Sequence, residues 1–281
     1  MPPIKSLSDR NLSYYRTEHY FARYAEFASL EDYKAYYQWA KQQGVKLYIL
    51  GNGSNTLYQK QKVKSLILKN KLPKKIEALS ANRFEVSSTV LVLELLKVCL
   101  DNSLDSFYYL ASVPATIGGA LAMNAGRGRK HNLTIYDFVE SVSFYDHESD
   151  TVKTLGKGDI VQGYRQTIFT GVQSRLILSA VFKFPELTTL GNPIMERCRW
   201  SKQFQDYSGP NCGSVFKTVD FQIMEKLKGF SLGNTSFSQR TVNWITNHSK
   251  NSRTIFLLIW ITKLLHRLKG KKAELELIIV D

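Results

Sequence analysis

The sequence has few cysteines, no long apolar run and no apolar leader segment. Its 281 residues include three widely spaced cysteines, too few for a disulfide framework and in no metal-binding pattern. The longest apolar stretch, 255–265, is interrupted by Thr262 and Lys263 and is too short to span a bilayer. The N-terminus lacks the apolar region of a signal peptide. These absences favour a cytoplasmic protein with no membrane partner.

Acidic residues are outnumbered, with 24 Asp and Glu against 38 Lys and Arg and a formal net charge of +14. The basic residues form short separate clusters, such as 60–64 and 269–272, and none lies in a recognisable nucleic-acid-binding module. We therefore expect no nucleic acid partner, because a basic surface also suits phosphorylated small ligands. The hydrophobic fraction of 43% and the charged fraction of 22% are typical of a globular protein.

A predicted strand at 45–50 runs into the glycine turn Gly51–Asn55 (Gly-Asn-Gly-Ser-Asn). The turn lacks the third glycine and following helix of a dinucleotide fingerprint, and it lacks the Gly-Lys of a Walker loop. Such a turn can gather backbone N–H groups around a phosphate. A simple hairpin turn explains the same pattern about equally well.

A second stretch, Val113–Gly126, is dense in small residues and carries no charge; we call it the small-residue wall. Its polar side chains are those of Thr116 and Asn124. Glycines allow backbone to approach a neighbouring group closely. The stretch lacks the regular Leu and Ile spacing of a core helix, so it indicates a backbone-lined wall whose amides are free to donate to a bound group.

Periodicity and capping signals predict a mixed helix and strand chain. Ser29 followed by Asp32 indicates the start of a helix that Gly44 ends, with a tyrosine stripe facing the core. The other predicted helices are 91–100, 192–205 and 255–268, and the other predicted strands are 65–68, 83–88, 138–145, 177–184 and 274–280. The change in character near residue 186 suggests a separate C-terminal domain.

Five stretches in fixed order resemble one family, the UDP-N-acetylenolpyruvoylglucosamine reductases (UDP-N-acetylmuramate dehydrogenases), in its short form. The stretches are Leu50–Asn55, Val113–Gly126, Tyr164–Phe169 (Tyr-Arg-Gln-Thr-Ile-Phe), Cys212–Lys217 (Cys-Gly-Ser-Val-Phe-Lys) and Ala273–Glu276 (Ala-Glu-Leu-Glu). The similarity extends from about residue 12 to residue 281. Each motif alone is modest, but their common order makes the resemblance specific.

The resemblance implies an α+β fold, with a two-lobe PCMH-type FAD-binding module followed by a C-terminal α/β substrate-binding domain. The lobes would be 1–68 and 69–186, together a module of about 16–186, and the C-terminal domain would be 187–281. FAD would be held by the glycine turn and lined by the small-residue wall. The implied cofactor-binding residues are Gly51, Asn52, Gly53, Ser54, Asn55, Pro114, Thr116, Gly118, Gly119 and Asn124.

The implied activity is FAD-dependent reduction of UDP-N-acetylglucosamine enolpyruvate to UDP-N-acetylmuramate with NADPH, in peptidoglycan precursor synthesis. Arg165 would stabilise the developing enolate, Ser214 would donate the proton, and Glu276 would act as the electrostatic or relay partner of Arg165. Glu274 is the competing assignment for that carboxylate. The implied residues for the UDP-sugar are Tyr164, Lys217 and Asn243, with Lys217 a candidate for its diphosphate.

The chain departs from the family pattern at Asn52, Ala115, Thr218 and Asn234. Two alternatives are therefore kept: a diverged flavoprotein that acts on another substrate, and a catalytically inactive binding protein. Each assigned side chain also has a simpler interpretation. Arg165 could be a surface arginine, Ser214 part of a turn, and Glu276 a solvent-facing strand residue. We expect a monomer, but the sequence itself leaves the oligomeric state open, together with the choice between NADPH and NADH.

Overall fold

The structure is a computed structural model that describes residues 3–188 and 191–281. The chain forms two compact units. Unit 1 contains Ala25–Asn52 and Leu68–Arg199, and unit 2 contains Ile4–Tyr24, Gly53–Ile67 and Trp200–Asp281. The expected division into segments 1–68, 69–186 and 187–281 stays a prediction.

Eight helices and eighteen strands are formed by the described residues. The helices are α1 Leu30–Gln42, α2 Val92–Asp101, α3 Ile117–Ala122, α4 Gly128–His131, α5 Lys157–Ile160, α6 Pro193–Phe204, α7 Phe221–Lys226 and α8 Arg253–Leu268. The strands are β1 Lys5–Asp9, β2 His19–Phe27, β3 Leu47–Leu50, β4 Thr56–Tyr58, β5 Lys62–Asn70, β6 Ile76–Ser80, β7 Arg83–Ser87, β8 Val139–Asp146, β9 Thr151–Leu155, β10 Val161–Gly163, β11 Gln166–Thr167, β12 Arg175–Lys183, β13 Phe216–Thr218, β14 Ser231–Leu232, β15 Thr235–Phe237, β16 Ile245–Asn247, β17 Glu274–Leu275 and β18 Ile278–Val280.

Unit 1 is built on an antiparallel sheet in the order β6-β7-β12-β8-β9. Three of these strands, β7, β8 and β12, confirm the strands predicted at 83–88, 138–145 and 177–184. Helix α2 buries Val92, Leu95, Leu96 and Cys99 in the same hydrophobic core. This core also includes Ile117 of the small-residue wall, so the wall is anchored to the main sheet.

Helix α1 begins and packs as its sequence predicts. The hydroxyl of Ser29 accepts a hydrogen bond from the amide of Asp32 at 3.0 Å, which satisfies one of the unpaired donors of the first turn. Tyr33 and Tyr36 are fully buried, which confirms that the tyrosine stripe belongs to the core. The Tyr33 hydroxyl donates to the carbonyl of Gln173 at 2.6 Å, so this buried polar group is paired.

Unit 2 has its own core around helix α8. Ile255, Leu258 and Ile259 are buried there with Val215 and Phe237. Three small sheets surround this core: β14-β15-β16 and the β13-β17 pair are antiparallel, and β18 pairs with β4 in parallel. No helix of the described part of the chain has the length and hydrophobicity needed to cross a membrane.

Two sequence predictions need correction. The single strand predicted at 274–280 is two short strands, β17 and β18, in different sheets. The break falls at Glu276 and Leu277, between β17, which pairs with β13, and β18, which pairs with β4. The amide of Glu276 still donates to the carbonyl of Val215, next to β13, at 2.9 Å. The small-residue wall contains a helix, α3, in which Ile117, Ala120 and Leu121 are buried.

Candidate functional site

The small-residue wall uses its first amides within the protein. Thr116 caps α3, and its hydroxyl accepts from the amide of Gly119 at 3.2 Å. The amides of Ile117 and Gly118 donate to the carbonyls of Val90 and Ser88, both at 2.8 Å. The prediction of free amides is therefore wrong for this part of the wall. These N–H groups hold α3 against residues 88–90 of the same unit.

Glycine in the wall permits close packing. A Cβ atom on Gly118 would lie 2.8 Å from the Cβ of Ser88, and one on Gly126 would lie 2.0 Å from the carbonyl oxygen of Leu133. Both distances are shorter than van der Waals contact, so only glycine fits without backbone movement. At these two glycines the backbone of the wall packs directly against neighbouring residues of unit 1.

The end of the wall positions Arg165. Its guanidinium donates to the carbonyl of Asn124 at 2.8 Å and to that of Gly126 at 2.6 Å. The side-chain amide of Asn124 donates in turn to the carbonyl of Gly163 at 3.0 Å. Arg165 is only 8% exposed, so the interpretation as a surface arginine is wrong. Unit 1 thus holds a buried cation at a fixed point beside the wall.

An aromatic ring lies against the same cation. The Cζ of Arg165 is 4.8 Å from the ring centre of Tyr164, and the Cζ of Arg129 is 4.5 Å from it. Both distances are within the range of cation–π attraction. Arg129, on the short helix α4, was not identified from the sequence, where it is one of several basic residues in a cluster. The predicted residues Asn124, Tyr164 and Arg165 are therefore neighbours.

The first half of the glycine turn belongs to unit 1 and contacts the wall. The side-chain amide of Asn52 donates to the carbonyl of Pro114 at 2.7 Å. A Cβ atom on Gly51 would lie 3.0 Å from the hydroxyl oxygen of Thr116. The structure thus brings together four predicted cofactor residues. The turn departs from the family pattern at Asn52, and the side chain there makes a specific hydrogen bond.

Lys69, on strand β5, supports the same half of the turn. Its ammonium group donates to the carbonyl of Gly51. Burial is the main cause that lowers the pKa of Lys69, and the neighbouring charge of Lys71 lowers it further. Sequence reasoning missed this residue because a lysine in a strand is usually solvent-exposed. Its burial beside a glycine turn appears only in the folded chain.

The second half of the glycine turn belongs to unit 2. Gly53 has a φ of +73°, and its carbonyl accepts from the amide of Tyr14 at 3.1 Å. The side chain of Asn55 donates to the carbonyl of Glu276 at 3.0 Å. The backbone amides of Gly53, Ser54 and Asn55 donate to no acceptor among the described residues. Three successive N–H groups of this kind suit a phosphate group.

Unit 2 also gathers the predicted C-terminal residues around Val215. Ser214 precedes Val215, and the amide of Glu276 donates to the Val215 carbonyl at 2.9 Å. Lys217 lies on the neighbouring strand β13. The Ser214 hydroxyl has no hydrogen-bond partner within residues 3–188 and 191–281. The competing carboxylate of Glu274 is exposed and accepts from the hydroxyl of Thr218 at 3.3 Å.

Asn243 braces this segment. It has a φ of +69°, its side-chain oxygen accepts from the amide of Phe216 at 3.1 Å, and its side-chain nitrogen donates to the carbonyl of Phe216 at 2.7 Å. Both ends of the side chain are thus engaged with one residue two positions after Ser214. The amide of Val215 also donates to the Asn243 carbonyl at 2.9 Å. Asn243 fixes the backbone that carries Ser214.

Two of the three cysteines, Cys99 and Cys212, are buried. Burial raises the pKa of the Cys99 and Cys212 thiols to about 12, so both stay protonated near neutral pH. No group of three or more His, Cys, Asp or Glu side chains in the described part of the chain could hold a metal ion.

Comparison with known proteins agrees with this geometry. A family described as "FAD binding domain" matches residues 21–156. A solved structure, UDP-N-acetylenolpyruvylglucosamine reductase from Thermus caldophilus, superposes with a TM-score of 0.77 over 99% of both chains, at 18% sequence identity. The fold is therefore α+β with a PCMH-type FAD-binding module, and the matched family indicates FAD as the cofactor.

Two curated relatives of this chain share one enzyme name. UDP-N-acetylenolpyruvoylglucosamine reductase of Aquifex aeolicus (strain VF5) is 29% identical over 253 residues, which cover 87% of this chain and 83% of the relative. The enzyme of the same name from Chlamydia felis (strain Fe/C-56) is 27% identical over 260 residues, which cover 90% of this chain and 85% of the relative. The chain is thus similar over most of its length to enzymes of this name, and the solved structure shares its fold.

Proposed function

We propose that this chain reduces UDP-N-acetylglucosamine enolpyruvate to UDP-N-acetylmuramate, with FAD as cofactor and NADPH as reductant, in peptidoglycan precursor synthesis. One observation carries the proposal: the similar proteins include an FAD-binding domain, and the glycine turn of this chain offers backbone donors that suit the FAD pyrophosphate. That turn keeps three successive amides without an acceptor among the described residues. Bound FAD supplies the hydride chemistry that the reaction requires.

The residues of this chain that would hold FAD fall into two groups. The amides of Gly53, Ser54 and Asn55 suit its pyrophosphate, because consecutive N–H groups bind anions without a charged side chain. The wall would contact the flavin through its surface, because the amides of Ile117, Gly118 and Gly119 are already engaged. Pro114, Thr116 and Asn124 belong to this second group, and the two other predicted contacts, Gly51 and Asn52, lie against the wall in the first half of the glycine turn.

Arg165 is proposed as the cation that stabilises the enolate of the substrate carboxylate. Its guanidinium is buried and held by the carbonyls of Asn124 and Gly126, so its position is fixed before substrate arrives. A preorganised cation stabilises developing negative charge more effectively than a mobile one. Tyr164, packed on the guanidinium, is proposed as a substrate contact that also limits its movement.

Ser214 is proposed as the proton donor. Its hydroxyl is half-buried and unpaired within the described residues, so the proton is available to a substrate carbon. Serine is a weak acid, but an enolate carbon is a strong enough base to accept its proton. Glu276 is proposed as the electrostatic or relay carboxylate, and Lys217 as a cation for the substrate diphosphate. Asn243 would act by fixing the Ser214 segment.

The proposal is tested with purified holoprotein in two measurements. The visible absorbance spectrum reports bound flavin, and NADPH oxidation is followed with and without UDP-N-acetylglucosamine enolpyruvate. We expect stoichiometric flavin and substrate-dependent turnover. Ser214→Ala should keep the flavin spectrum and lose about 10³-fold or more in kcat, as expected when a general acid is removed. Ser208→Ala, at an exposed turn serine of the same unit, is the matched control.

The outcomes separate the alternatives. Bound flavin without turnover of this substrate would favour a diverged flavoprotein with another substrate. A colourless protein that does not take up FAD would favour a binding protein without redox function. Retained turnover in Ser214→Ala would overturn the serine assignment alone. A monomeric, cytoplasmic protein is also proposed, and light scattering tests the monomer, whose formal charge of +14 opposes self-association.

A further inference from the structure

Helix α8 presents an exposed apolar face that the core of unit 2 does not use. Leu257, Trp260, Leu264 and Leu268 are 49%, 59%, 38% and 73% exposed. Their spacing of three, four and four residues places them on one side of the helix, and we call them the outer stripe. At 1.5 Å of rise per residue the stripe is about 16 Å long.

The opposite side of α8 already provides the packing that holds the helix. Its buried residues are Ile255, Leu258, Ile259, Thr262 and His266. Removing the outer stripe would therefore leave the core contacts of the helix intact. Exposing a tryptophan and three leucines on one helix face is unfavourable in water unless the face is covered by something else.

All the Asp, Glu, Lys and Arg side chains that helix α8 itself carries are basic. The sixteen residues of α8 contain Arg253, Lys263 and Arg267 and no acidic residue. Three exposed lysines, Lys269, Lys271 and Lys272, follow the helix directly. Of these, Lys271 lies 3.6 Å from the carboxylate of Asp220. We call these six residues the basic flank.

We propose that the outer stripe and the basic flank form a docking surface for the interface of an anionic lipid bilayer. A helix with Trp and Leu on one face and Lys and Arg beside them is typical of segments that lie in the plane of a membrane interface. Each basic residue near an anionic surface adds electrostatic attraction. The helix would lie on the surface and not cross it, in keeping with its length.

A second copy of the chain fits this surface less well. Pairing two outer stripes would bring two basic flanks together, on chains that each carry a formal charge of +14. Like charges that meet in an interface oppose association. An anionic bilayer instead offers both apolar depth and opposite charge. The expectation of no membrane partner is revised only for this surface, and the proposal goes beyond the proposed enzymatic function.

The experiment is co-sedimentation of the full-length protein with phosphatidylcholine vesicles that contain or lack phosphatidylglycerol. We expect binding only to the anionic vesicles, weakened by salt. Two double variants, Trp260→Ser with Leu264→Ser and Lys263→Gln with Arg267→Gln, should each reduce partitioning about tenfold. The control, Val152→Ser with Lys157→Gln, changes an exposed apolar and an exposed basic residue of unit 1 and should bind like the unmodified protein.

A second measurement does not depend on whether the polar variants fold, because it uses the unmodified protein and the apolar replacement Trp260→Phe. Brominated lipids should quench the fluorescence of the unmodified protein and quench Trp260→Phe much less, because Trp260 would enter the interface. The proposal is overturned if neither vesicle is bound, or if the serine variant binds as well as the unmodified protein. It is also overturned if light scattering shows a dimer that the serine variant abolishes while vesicles stay unbound.

Discussion

The two glycine-rich stretches have similar compositions and opposite uses of their backbone. In the small-residue wall, the amides of Ile117, Gly118 and Gly119 all donate to acceptors in unit 1. In the second half of the glycine turn, the amides of Gly53, Ser54 and Asn55 have no acceptor in the described parts of the chain. The wall is therefore a packed surface, and the turn is a donor site.

The glycines themselves differ in the same way. Gly118 and Gly126 are required by close backbone or side-chain neighbours and have ordinary φ values. Gly53 combines a close neighbour with a left-handed φ of +73°, which orients the following amides. Glycine content alone therefore does not identify a phosphate site. The useful criterion is whether each backbone N–H group already has an acceptor within the protein. Three substitutions and one change of pH test this difference.

Gly126→Ala should have the largest effect, on the wall. The new Cβ would lie 2.0 Å from the Leu133 carbonyl oxygen and 2.9 Å from the Thr134 Cα, so backbone must move. We expect the free energy of unfolding to fall by about 3 kcal/mol, measured by urea unfolding. Arg165 should also lose its fixed position, because the Gly126 carbonyl accepts from it.

Gly158→Ala is the matched control for the wall variant. A Cβ atom on Gly158 meets nothing within 4 Å, and the residue lies in the short helix α5. Its unfolding free energy should change by less than about 1 kcal/mol. Equal stability of the two variants would show that the wall is not closely packed at Gly126.

Gly53→Ala should have the next largest effect, and on a different property. Its Cβ would lie 2.4 Å from the carbonyl oxygen of Leu12, and the φ of +73° is strained for alanine. We expect a loss of about 2 kcal/mol in unfolding free energy and a drop of more than about tenfold in FAD affinity, measured by flavin fluorescence. Gly44→Ala, with a φ of +61° and open space, should bind FAD normally.

Asn52→Gly should weaken the connection between turn and wall. It removes the 2.7 Å hydrogen bond to the Pro114 carbonyl, for which we expect a loss of about 1 kcal/mol in unfolding free energy. Asn52→Asp keeps the shape but cannot donate, and its charge should repel a phosphate, so its FAD affinity should be the lower of the two. An unchanged affinity in Asn52→Asp would place the pyrophosphate elsewhere.

Local features of this molecule were predictable from the sequence, and non-local ones were not. Helix α1 and its Ser29 cap are set by neighbouring residues, so they were predicted correctly. Helix α3 has six residues, too few to reveal a helical period among small side chains. The acceptors of its amides, at Ser88 and Val90, lie more than twenty residues away in sequence, so the occupied amides could not be foreseen. Strands β1 and β2 were not predicted because residues 1–28 show no clear period in their sequence.

The same distinction holds at the site. Arg165 and Ser214 were predicted because short motifs resemble those of a family, and their roles stay proposals. Lys69 required the fold, since only folding brings it to Gly51. The break at Glu276 also has a distant cause, because β17 pairs with β13 whereas β18 pairs with β4. Motifs thus suggested which residues to propose for the chemistry, and the structure supplied the backbone interactions that hold those residues in place.

The smallest expected effect is a pH-dependent loss of stability in unit 2, which contains Gly53–Asn55, and not in the wall of unit 1. Its expected cause is His19, which also belongs to unit 2. His19 is buried, its Nδ1–H donates to the Lys60 carbonyl and its Nε2 accepts from the Thr17 hydroxyl, both at 2.8 Å. Burial lowers its pKa below the ordinary value of 6.5. The unfolded chain therefore takes up the proton first, and stability should fall as pH drops below about 6.5 and level off below the folded pKa. Hydrogen exchange from pH 7 to 5, corrected for its intrinsic pH dependence, should show this loss at the amide of Tyr14, which donates to the Gly53 carbonyl. The loss should be smaller in His19→Gln, and an identical pH dependence in that variant would exclude His19 as the cause.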